Sequence, residues 1–270
     1  MRCRVFLLCL ATLCLASTEL TFQKVGKGPG ILLIHGFGGT KEVWSVVAAE
    51  LSRDHTVLSV DLPGSGGSPA PALVEGSADF NAIAKDLAAL TRREGLSPCL
   101  VVGHSMGGPL AACAVLEDPA AFRGLVLVDS FLGAIPAHFL EPTIIALAKV
   151  PGPVLEAFFR PIASGTAQVQ RLATEAQKVP VPVLQAYLRG MSRDVLRSRQ
   201  AQLHLPVLLL ARGPREPDPA KEAATLAQFG FRDLPAFRAV HFPSAKHWIM
   251  WDAPESFLLA VRCFEAGLGR

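Results

Sequence analysis

The chain alternates between short, nearly continuous apolar runs and longer segments whose apolar residues recur every three or four positions. The runs that predict buried strands lie at 30–36, 55–64, 99–103, 124–130, 206–211 and 236–243. The segments that predict helices lie at 40–51, 79–93, 106–117, 187–202, 219–229 and from 254 onward. Apolar strands separated by helices are typical of a parallel sheet that is covered on both faces. The pattern therefore predicts an α/β fold built on a mostly parallel, doubly wound sheet.

The stretch from about 131 to 188 interrupts this alternation. It is divided into short apolar pieces by Pro136, Pro142, Pro151, Pro153, Pro161, Pro180 and Pro182. Prolines at this density are unfavourable in a central strand, so the stretch predicts a helical cap inserted into the domain. Its large apolar side chains are expected either to line a pocket or to pack the cap on the body, and they are Phe131, Phe139, Ile144, Ile145, Phe158 and Phe159.

The N-terminus has a pattern of its own. Arg2 and Arg4 precede an apolar stretch at 5–15, and the small residues Ala16 and Ser17 follow it. This layout predicts a signal peptide at 1–16, a mature domain at 17–270 and export to the periplasm or the medium. The apolar stretch is shorter than the roughly 20 residues that a membrane-spanning helix needs, so we expect no stable span after the signal is removed. An uncleaved anchor, or a misplaced start codon and a cytoplasmic protein, remain alternatives.

Composition narrows the class of protein. The 270 residues suit one domain with a full core, and half of them are apolar. The net charge of +3 comes without a long basic run, so we expect no nucleic-acid partner. Cysteine spacing typical of a metal site is absent from the sequence, and "GSGG" at 64–67 lacks the lysine of a P-loop. We therefore expect no metal and no cofactor, and a small molecule as the partner; the sequence leaves the oligomeric state open.

A G-x-S-x-G pattern joins the predicted strand at 99–103 to the predicted helix at 106–117. It reads Gly103-His104-Ser105-Met106-Gly107. In that context the pattern is typical of a strained turn that exposes the serine oxygen above the sheet, with glycines where a Cβ would clash. The helix that follows adds a favourable partial charge for an oxyanion. A turn that only reverses the chain is the simpler alternative, but the strand and helix around it favour a nucleophile.

A second glycine-rich turn, "HGFGG" at 35–39, follows the first predicted strand. Taken alone it is typical of any strand-to-helix connection. Together with Ser105 it predicts an oxyanion hole in which the backbone N–H groups of Phe37 and Met106 point into one cleft. Two such donors contribute several kcal/mol to lowering a barrier.

Four motifs, "HGFGG", "VDLPGSGGSP", "GHSMGG" and "PSAKHWIMWDAPESF", stand in an order and spacing that resembles the α/β-hydrolase superfamily, specifically its esterase and lipase-like members with a helical cap. The resemblance covers the chain from about residue 20 to the end. It implies the α/β-hydrolase fold and a triad of serine, acid and histidine. Ser105 then matches the nucleophile, and His247, in the loop after the last predicted strand, matches the base.

The acid of the triad is left open by the sequence. The family usually places an aspartate after the strand that corresponds to 206–211, in a Gly-x-x-Asp-Pro context. This chain has "ARGPREPDPA", so Glu216 occupies the matching position and is preferred. Asp218, two residues later, and Asp129, after the strand at 124–128, are the alternatives.

The resemblance implies a serine hydrolase that cleaves carboxylic esters of small to medium apolar substrates through an acyl-enzyme on Ser105. Amide, lactone and C–C hydrolysis use the same parts on this fold, so they remain alternatives. A ligand-binding protein with a decayed triad is the competing class, and the irregular acid loop is its only support.

Overall fold

The computed structural model describes residues 19–268, and within that range seven strands form one sheet in the order β1-β3-β2-β6-β7-β8-β9. The strands in chain order are β1 Phe22–Val25, β2 Gly30–Ile34, β3 Thr56–Val60, β4 Leu73–Val74, β5 Ser77–Ala78, β6 Cys99–His104, β7 Phe122–Val128, β8 Val207–Arg212 and β9 Phe237–Phe242. Strand β1 runs antiparallel to β3, whereas the other neighbours in the sheet are parallel. Strands β4 and β5 form a separate antiparallel hairpin. The predicted α/β class and mostly parallel sheet are confirmed.

Ten α-helices accompany these strands over the same described range. They are α1 Ser45–Leu51, α2 Phe80–Arg93, α3 Gly107–Glu117, α4 Ala137–Leu147, α5 Pro151–Phe159, α6 Thr166–Ala176, α7 Val181–Met191, α8 Pro219–Gln228, α9 Ile249–Asp252 and α10 Pro254–Ala266. Short 3-10 segments occupy Lys41–Trp44, Pro119–Ala121 and Gln200–Gln202.

The centre of the sheet holds the core because its strands are apolar on both faces. Every residue of β2 and of β6 is buried. Burying one aliphatic side chain of this size contributes about 1.5–3 kcal/mol, so these two strands anchor the sheet from which the loops project. Helix α2 shows how local sequence sets an element: the Asp79 carboxylate caps it by accepting from the N–H groups of Asn81 and Ala82.

Helices α4 to α7 lie between β7 and β8, and residues 137–191 are called the cap below. The helix predicted at 187–202 is wrong in position, because α7 begins at Val181 and ends at Met191. Pro180 and Pro182 flank its first residue, and proline is compatible with the first turn of a helix. The chain after α7 is irregular except for the 3-10 segment, although its apolar spacing resembles a helix.

Strand β1, the hairpin of β4 and β5, and the four-residue helix α9 were absent from the sequence prediction. Strand β1 is short and only half-buried, and the hairpin of β4 and β5 has strands of two residues each. All three are shorter than the window over which periodicity can be recognised. The predicted signal peptide and its cleavage site lie outside the described residues. Across residues 19–268, no helix combines the length and the apolar character that crossing a membrane requires.

Candidate active site

Ser105 lies at the turn between β6 and α3, at the carboxyl edge of the sheet. Its backbone φ is +52°, a left-handed conformation that is unusual for a residue with a side chain. Three hydrogen bonds hold the turn: the Ser105 N–H donates to the Val128 carbonyl at 3.0 Å, and the Ser105 carbonyl accepts from Gly108 N–H at 2.9 Å and from Ser130 Oγ at 2.6 Å. The strain at Ser105 is therefore maintained by β7 and by the first turn of α3.

The glycines of "GHSMGG" are required by close packing. A Cβ on Gly103 would lie 2.3 Å from the Gly107 carbonyl oxygen, and one on Gly107 would lie 2.5 Å from the Ile34 carbonyl oxygen. These contacts are with backbone, which cannot move aside. The prediction that the glycines permit a sharp strand-to-helix turn therefore has a direct physical reason.

The glycine-rich turn after β2 packs directly on Ser105. A Cβ on Gly36 would lie 3.0 Å from both the Ser105 Cβ and the His104 Nδ1. Within the described part of the chain, neither the Phe37 N–H nor the Met106 N–H donates a hydrogen bond to another protein group. Two free backbone donors beside a serine are suited to holding an oxyanion.

His247 lies in the loop between β9 and α9, with Asp129 beside it. The Nδ1 atom of His247 contacts Asp129 Oδ2 in a short hydrogen bond. Because the carboxylate accepts, Nδ1 carries the proton, and Nε2 keeps a lone pair that can take one. Both side chains are about one-seventh exposed, at 13% and 14%. Asp129 has a φ of +40° and follows β7, so the strand end aims its carboxylate at the histidine.

The preferred acid, Glu216, is not the residue that contacts His247. Glu216 lines the same cavity, but its carboxylate accepts from the Asp218 N–H at 3.1 Å. Asp218 caps α8 by accepting from the N–H groups of Ala220 and Lys221. The carboxylates of Glu216 and Asp218 thus accept hydrogen bonds from the backbone of the loop after β8 and of the first turn of α8. The third alternative, Asp129, is the acid that contacts His247. This corrects the preference for Glu216.

Arg212 reaches Asp129 from the end of β8. Its Nη1 lies 3.4 Å from Asp129 Oδ2, and its backbone N–H donates to Asp129 Oδ1 at 3.4 Å. The carboxylate of Asp129 therefore pairs with His247 and has a second partner, Arg212, that restrains its orientation. The sequence analysis did not single out Arg212. The one feature of the sequence that could have indicated it is its position at the end of β8, the strand that pairs with β7, which Asp129 follows.

His104 is buried between the turn that carries Ser105, called the elbow below, and His247. Its Nε2 donates to the His247 carbonyl at 3.0 Å, and its ring centre lies 4.6 Å from that of His247. Burial holds the pKa of His104 well below its ordinary value, and the nearby His247 lowers it further. His104 is therefore a neutral donor that supports the backbone of the base.

His35 precedes the glycine-rich turn and is neutral as well. Its Nε2 accepts from the Leu62 N–H at 2.9 Å, so its Nδ1 carries the proton and donates to the Gly36 carbonyl at 2.8 Å. Burial is the main cause that lowers the pKa of His35 to about 4, although the Gly36 hydrogen bond opposes it. A fully buried Asp61, paired with Lys41 at 2.8 Å, braces the adjacent loop.

A cavity of about 630 Å³ contains Ser105, His247 and Asp129 in its lining. Its apolar lining comes from both the body and the cap; the cap and the segment that precedes it contribute Phe131, Ile135, Leu140, Phe158, Phe159, Ile162, Leu172 and Met191. Of the apolar side chains predicted for the cap region, Phe131, Phe158 and Phe159 line the cavity and Ile144 is buried elsewhere. Phe139 and Ile145 are 67% and 54% exposed, so the expectation that they either line a pocket or pack on the body is wrong.

A second histidine–carboxylate pair lines the same cavity. The Nε2 of His241, in β9, lies 3.1 Å from Glu222 Oε1, and Arg215 Nε donates to the other Glu222 oxygen at 2.8 Å. Arg215 is the main cause that lowers the pKa of Glu222. The sequence analysis did not single out His241 as a site residue.

Comparisons with known proteins identify the family and the fold of the chain. A family model described as the alpha/beta hydrolase fold matches residues 29–254. The sn-1-specific diacylglycerol lipase ABHD11 of Mus musculus is 28% identical over 258 residues, which are 88% of this chain and 81% of that protein. A pimeloyl-[acyl-carrier protein] methyl ester esterase of Aeromonas hydrophila is 32% identical over 112 residues, or 42% of each chain.

Solved structures with the same fold include a thermophilic esterase from Thermogutta terrifontis. It superposes with a TM-score of 0.79 at 23% identity and covers 94% of this chain and 98% of its own. An esterase from Exiguobacterium antarcticum gives a TM-score of 0.78 at 16% identity, over 92% and 95% of the two chains. At these identities the likeness concerns the fold, and the family match extends over most of the sequence. The chain belongs to the α/β-hydrolase family.

Proposed function

We propose that the protein is a serine hydrolase that cleaves carboxylic esters of small to medium apolar substrates through an acyl-enzyme on Ser105. One observation carries the proposal: a serine in a strained, glycine-packed elbow lines the same cavity as a histidine whose Nδ1 is paired with a carboxylate. A serine hydroxyl needs such a base to become a nucleophile at neutral pH. The esterases and the lipase among the relatives support the same reaction class.

In the proposed mechanism, His247 Nε2 removes the Ser105 proton as Oγ attacks the ester carbonyl carbon. The carbonyl oxygen becomes an oxyanion that accepts from the N–H groups of Phe37 and Met106. Asp129 stabilises the imidazolium and keeps its proton on Nδ1. The imidazolium then gives the Ser105 proton to the leaving alkoxide, and water, activated by the same base, releases the acid and frees Ser105.

The cavity supports an apolar substrate of modest size. Its volume of about 630 Å³ lies within the range that binds drug-sized ligands, and its cap wall is aromatic and aliphatic. Phe158 contacts Phe37 with ring centres 5.2 Å apart, so the cap closes over the oxyanion turn. We expect the acyl or alkyl chain to lie against this wall.

The test is hydrolysis of p-nitrophenyl esters from acetate to palmitate by the protein lacking residues 1–16, together with labelling by a fluorophosphonate. We expect turnover with an optimum at short to medium chains, and one phosphonate adduct, mapped to Ser105 by peptide mass. Ser105→Ala should lose both. Labelling without ester turnover would redirect the search to amides, lactones or C–C substrates, and absence of labelling would favour a ligand-binding protein.

We propose further that the protein is exported. The support is the basic, apolar and small-residue pattern of the first 17 residues. Expression with this segment in place, followed by N-terminal sequencing of the extracellular or periplasmic fraction, tests it. A product that begins near residue 17 supports export, and a product that keeps residues 1–16 contradicts cleavage.

A further inference from the structure

The peptide groups of His247 are held from two sides by parts of the chain far away in sequence. Its N–H donates to the Ile162 carbonyl at 3.1 Å, in the connection between cap helices α5 and α6. Its carbonyl accepts from His104 Nε2 at 3.0 Å, at the elbow. The backbone of the histidine therefore bridges the cap and the nucleophile turn.

Asp252 makes a second bridge between the same two parts of the molecule. Its Oδ2 accepts from the Lys246 N–H at 2.8 Å, next to His247 in the chain. Its Oδ1 accepts from Ser164 Oγ at 2.7 Å and from Gln168 Nε2 at 3.3 Å, both in the cap. Gln168 is itself held by the Ser164 N–H at 2.7 Å.

The chemistry of Asp252 favours this bridging role over a local one. A carboxylate at the last residue of α9 gains nothing from the helix dipole at that end. Its three donors all lie outside α9, and hydrogen bonds to an ionised carboxylate are about twice as strong as neutral ones. With the Ile162 bond, they form a ladder between residues 162–168 of the cap and residues 246–247 of the base loop.

We infer that Asp252 is a positioning residue that registers the cap against the His247 loop and so fixes the direction of the imidazole. The inference rests on the role of His247 in the proposed function. A cap that shifts away from the body must stretch this ladder and displace the base. A misplacement of about 1 Å costs on the order of 100-fold in rate, so a seated cap is needed for a correctly placed base.

Two variants test the two ends of the ladder. Asp252→Asn keeps the shape of the side chain and replaces one acceptor oxygen with a donor. The double variant Ser164→Ala/Gln168→Ala leaves Asp252 intact and removes only its cap partners. Glu255→Gln, an exposed carboxylate in the first turn of α10, is the matched control. The readouts are kcat and KM on the best p-nitrophenyl ester, and hydrogen exchange of peptides that cover 160–168 and 243–250.

We expect Asp252→Asn and the double variant each to lower kcat by about 10- to 100-fold while KM changes less than about twofold. Exchange should rise in both segments, and the control should match the wild type in every readout. A wild-type kcat in either test variant, or exchange that rises in one segment alone, overturns the inference.

Should Asp252→Asn fail to fold, the double variant, whose changes are on the cap surface, still decides. The hydrogen-exchange comparison does not depend on turnover. If the wild type fails to react with the fluorophosphonate, the proposed function is refuted, but the exchange data still test whether Asp252 connects the cap to the His247 loop.

Discussion

Two histidine–carboxylate pairs line one cavity, and the proposed mechanism uses only one of them. His247 pairs with Asp129, and His241 pairs with Glu222; each carboxylate also has an arginine within 3.4 Å. The difference lies in which ring nitrogen is used and in what surrounds the pair. Asp129 pairs with Nδ1 of a histidine whose ring lies tilted against His104, with ring centres 4.6 Å apart, whereas Glu222 pairs with Nε2 of a histidine within β9.

The comparison teaches that a histidine beside a carboxylate is insufficient to identify a catalytic base. A base must have its free nitrogen directed at the nucleophile, and this depends on backbone elements outside the pair. In the His247 pair these elements are the ends of β7 and β9 and the elbow. In the His241 pair Nδ1 is buried without a protein partner among the described residues.

The largest expected effect separates the two histidines. His247→Gln removes the base, and loss of such a residue lowers kcat by on the order of 10⁵- to 10⁶-fold in serine hydrolases. His241→Gln should stay within about threefold of the wild type, since it touches no reacting atom. Steady-state hydrolysis of a p-nitrophenyl ester measures both. Comparable losses in the two variants would remove the distinction between the pairs.

A buried histidine after β2 extends the comparison to stability. His35 has a folded pKa of about 4, below its unfolded value of 6.5, so the unfolded chain binds its proton first as pH falls. The free energy of unfolding should therefore fall between pH 6.5 and about 4, by roughly 3 kcal/mol from His35 alone, and His35 should add no further loss below that window.

Urea unfolding of the wild type and His35→Asn across that window measures this contribution. The variant should show the shallower pH dependence, even though it is less stable at neutral pH. His138→Gln, which removes an exposed imidazole on α4, should keep the wild-type dependence. Parallel curves for wild type and His35→Asn would contradict the assignment.

Gly36→Ala sharpens the account of how the elbow is supported. The added Cβ would lie 3.0 Å from the Ser105 Cβ and must displace the glycine-rich turn that carries the Phe37 donor. We expect kcat to fall about 10- to 100-fold through misplacement of that donor. Gly95→Ala is the control, because nothing lies within 4 Å of the new Cβ, although its φ of +69°, unlike the backbone of Gly36, disfavours alanine. It should cost about 1 kcal/mol of stability without changing kcat, and equal kcat in the two variants would contradict the packing argument.

The smallest expected effect compares the two arginines. Arg212 orients Asp129 but is 41% exposed, and exposed ion pairs contribute at most about 1 kcal/mol. Arg212→Gln should therefore lower kcat by about two- to fivefold, because Asp129 loses one of the groups that orient it. Arg215→Gln, which removes the partner of Glu222, should leave kcat unchanged. The same ester assay measures both variants. A larger loss of kcat in Arg215→Gln than in Arg212→Gln would contradict the proposal that the Asp129 pair takes part in the reaction.

The fold was accessible from the sequence because its central strands are apolar on both faces and are separated by helices of clear periodicity. Ser105 and the turn around Phe37 were predicted because glycines surround each of them at the end of an apolar strand, and His247 was predicted because its motif resembles that of the α/β-hydrolase family. The acid was not, since Glu216 and Asp129 both follow strands whose carboxyl ends meet at one edge. The hydrogen bond between His247 Nδ1 and Asp129, and the use of Glu216 within its own loop, decide between them. Ile162, Asp252 and Arg212 act through contacts between distant segments, which no local pattern in the sequence records.

The central claim is that Asp129, and not Glu216, orients the base that activates Ser105. It is tested most directly by the rate at which a fluorophosphonate labels Ser105 in Asp129→Asn, Glu216→Gln and Asp218→Asn, which requires no knowledge of the natural substrate. The account predicts a fall of about 10³- to 10⁴-fold in Asp129→Asn, because the imidazole then adopts the wrong tautomer, and wild-type rates in the other two. A wild-type rate in Asp129→Asn together with a collapse in Glu216→Gln would contradict it.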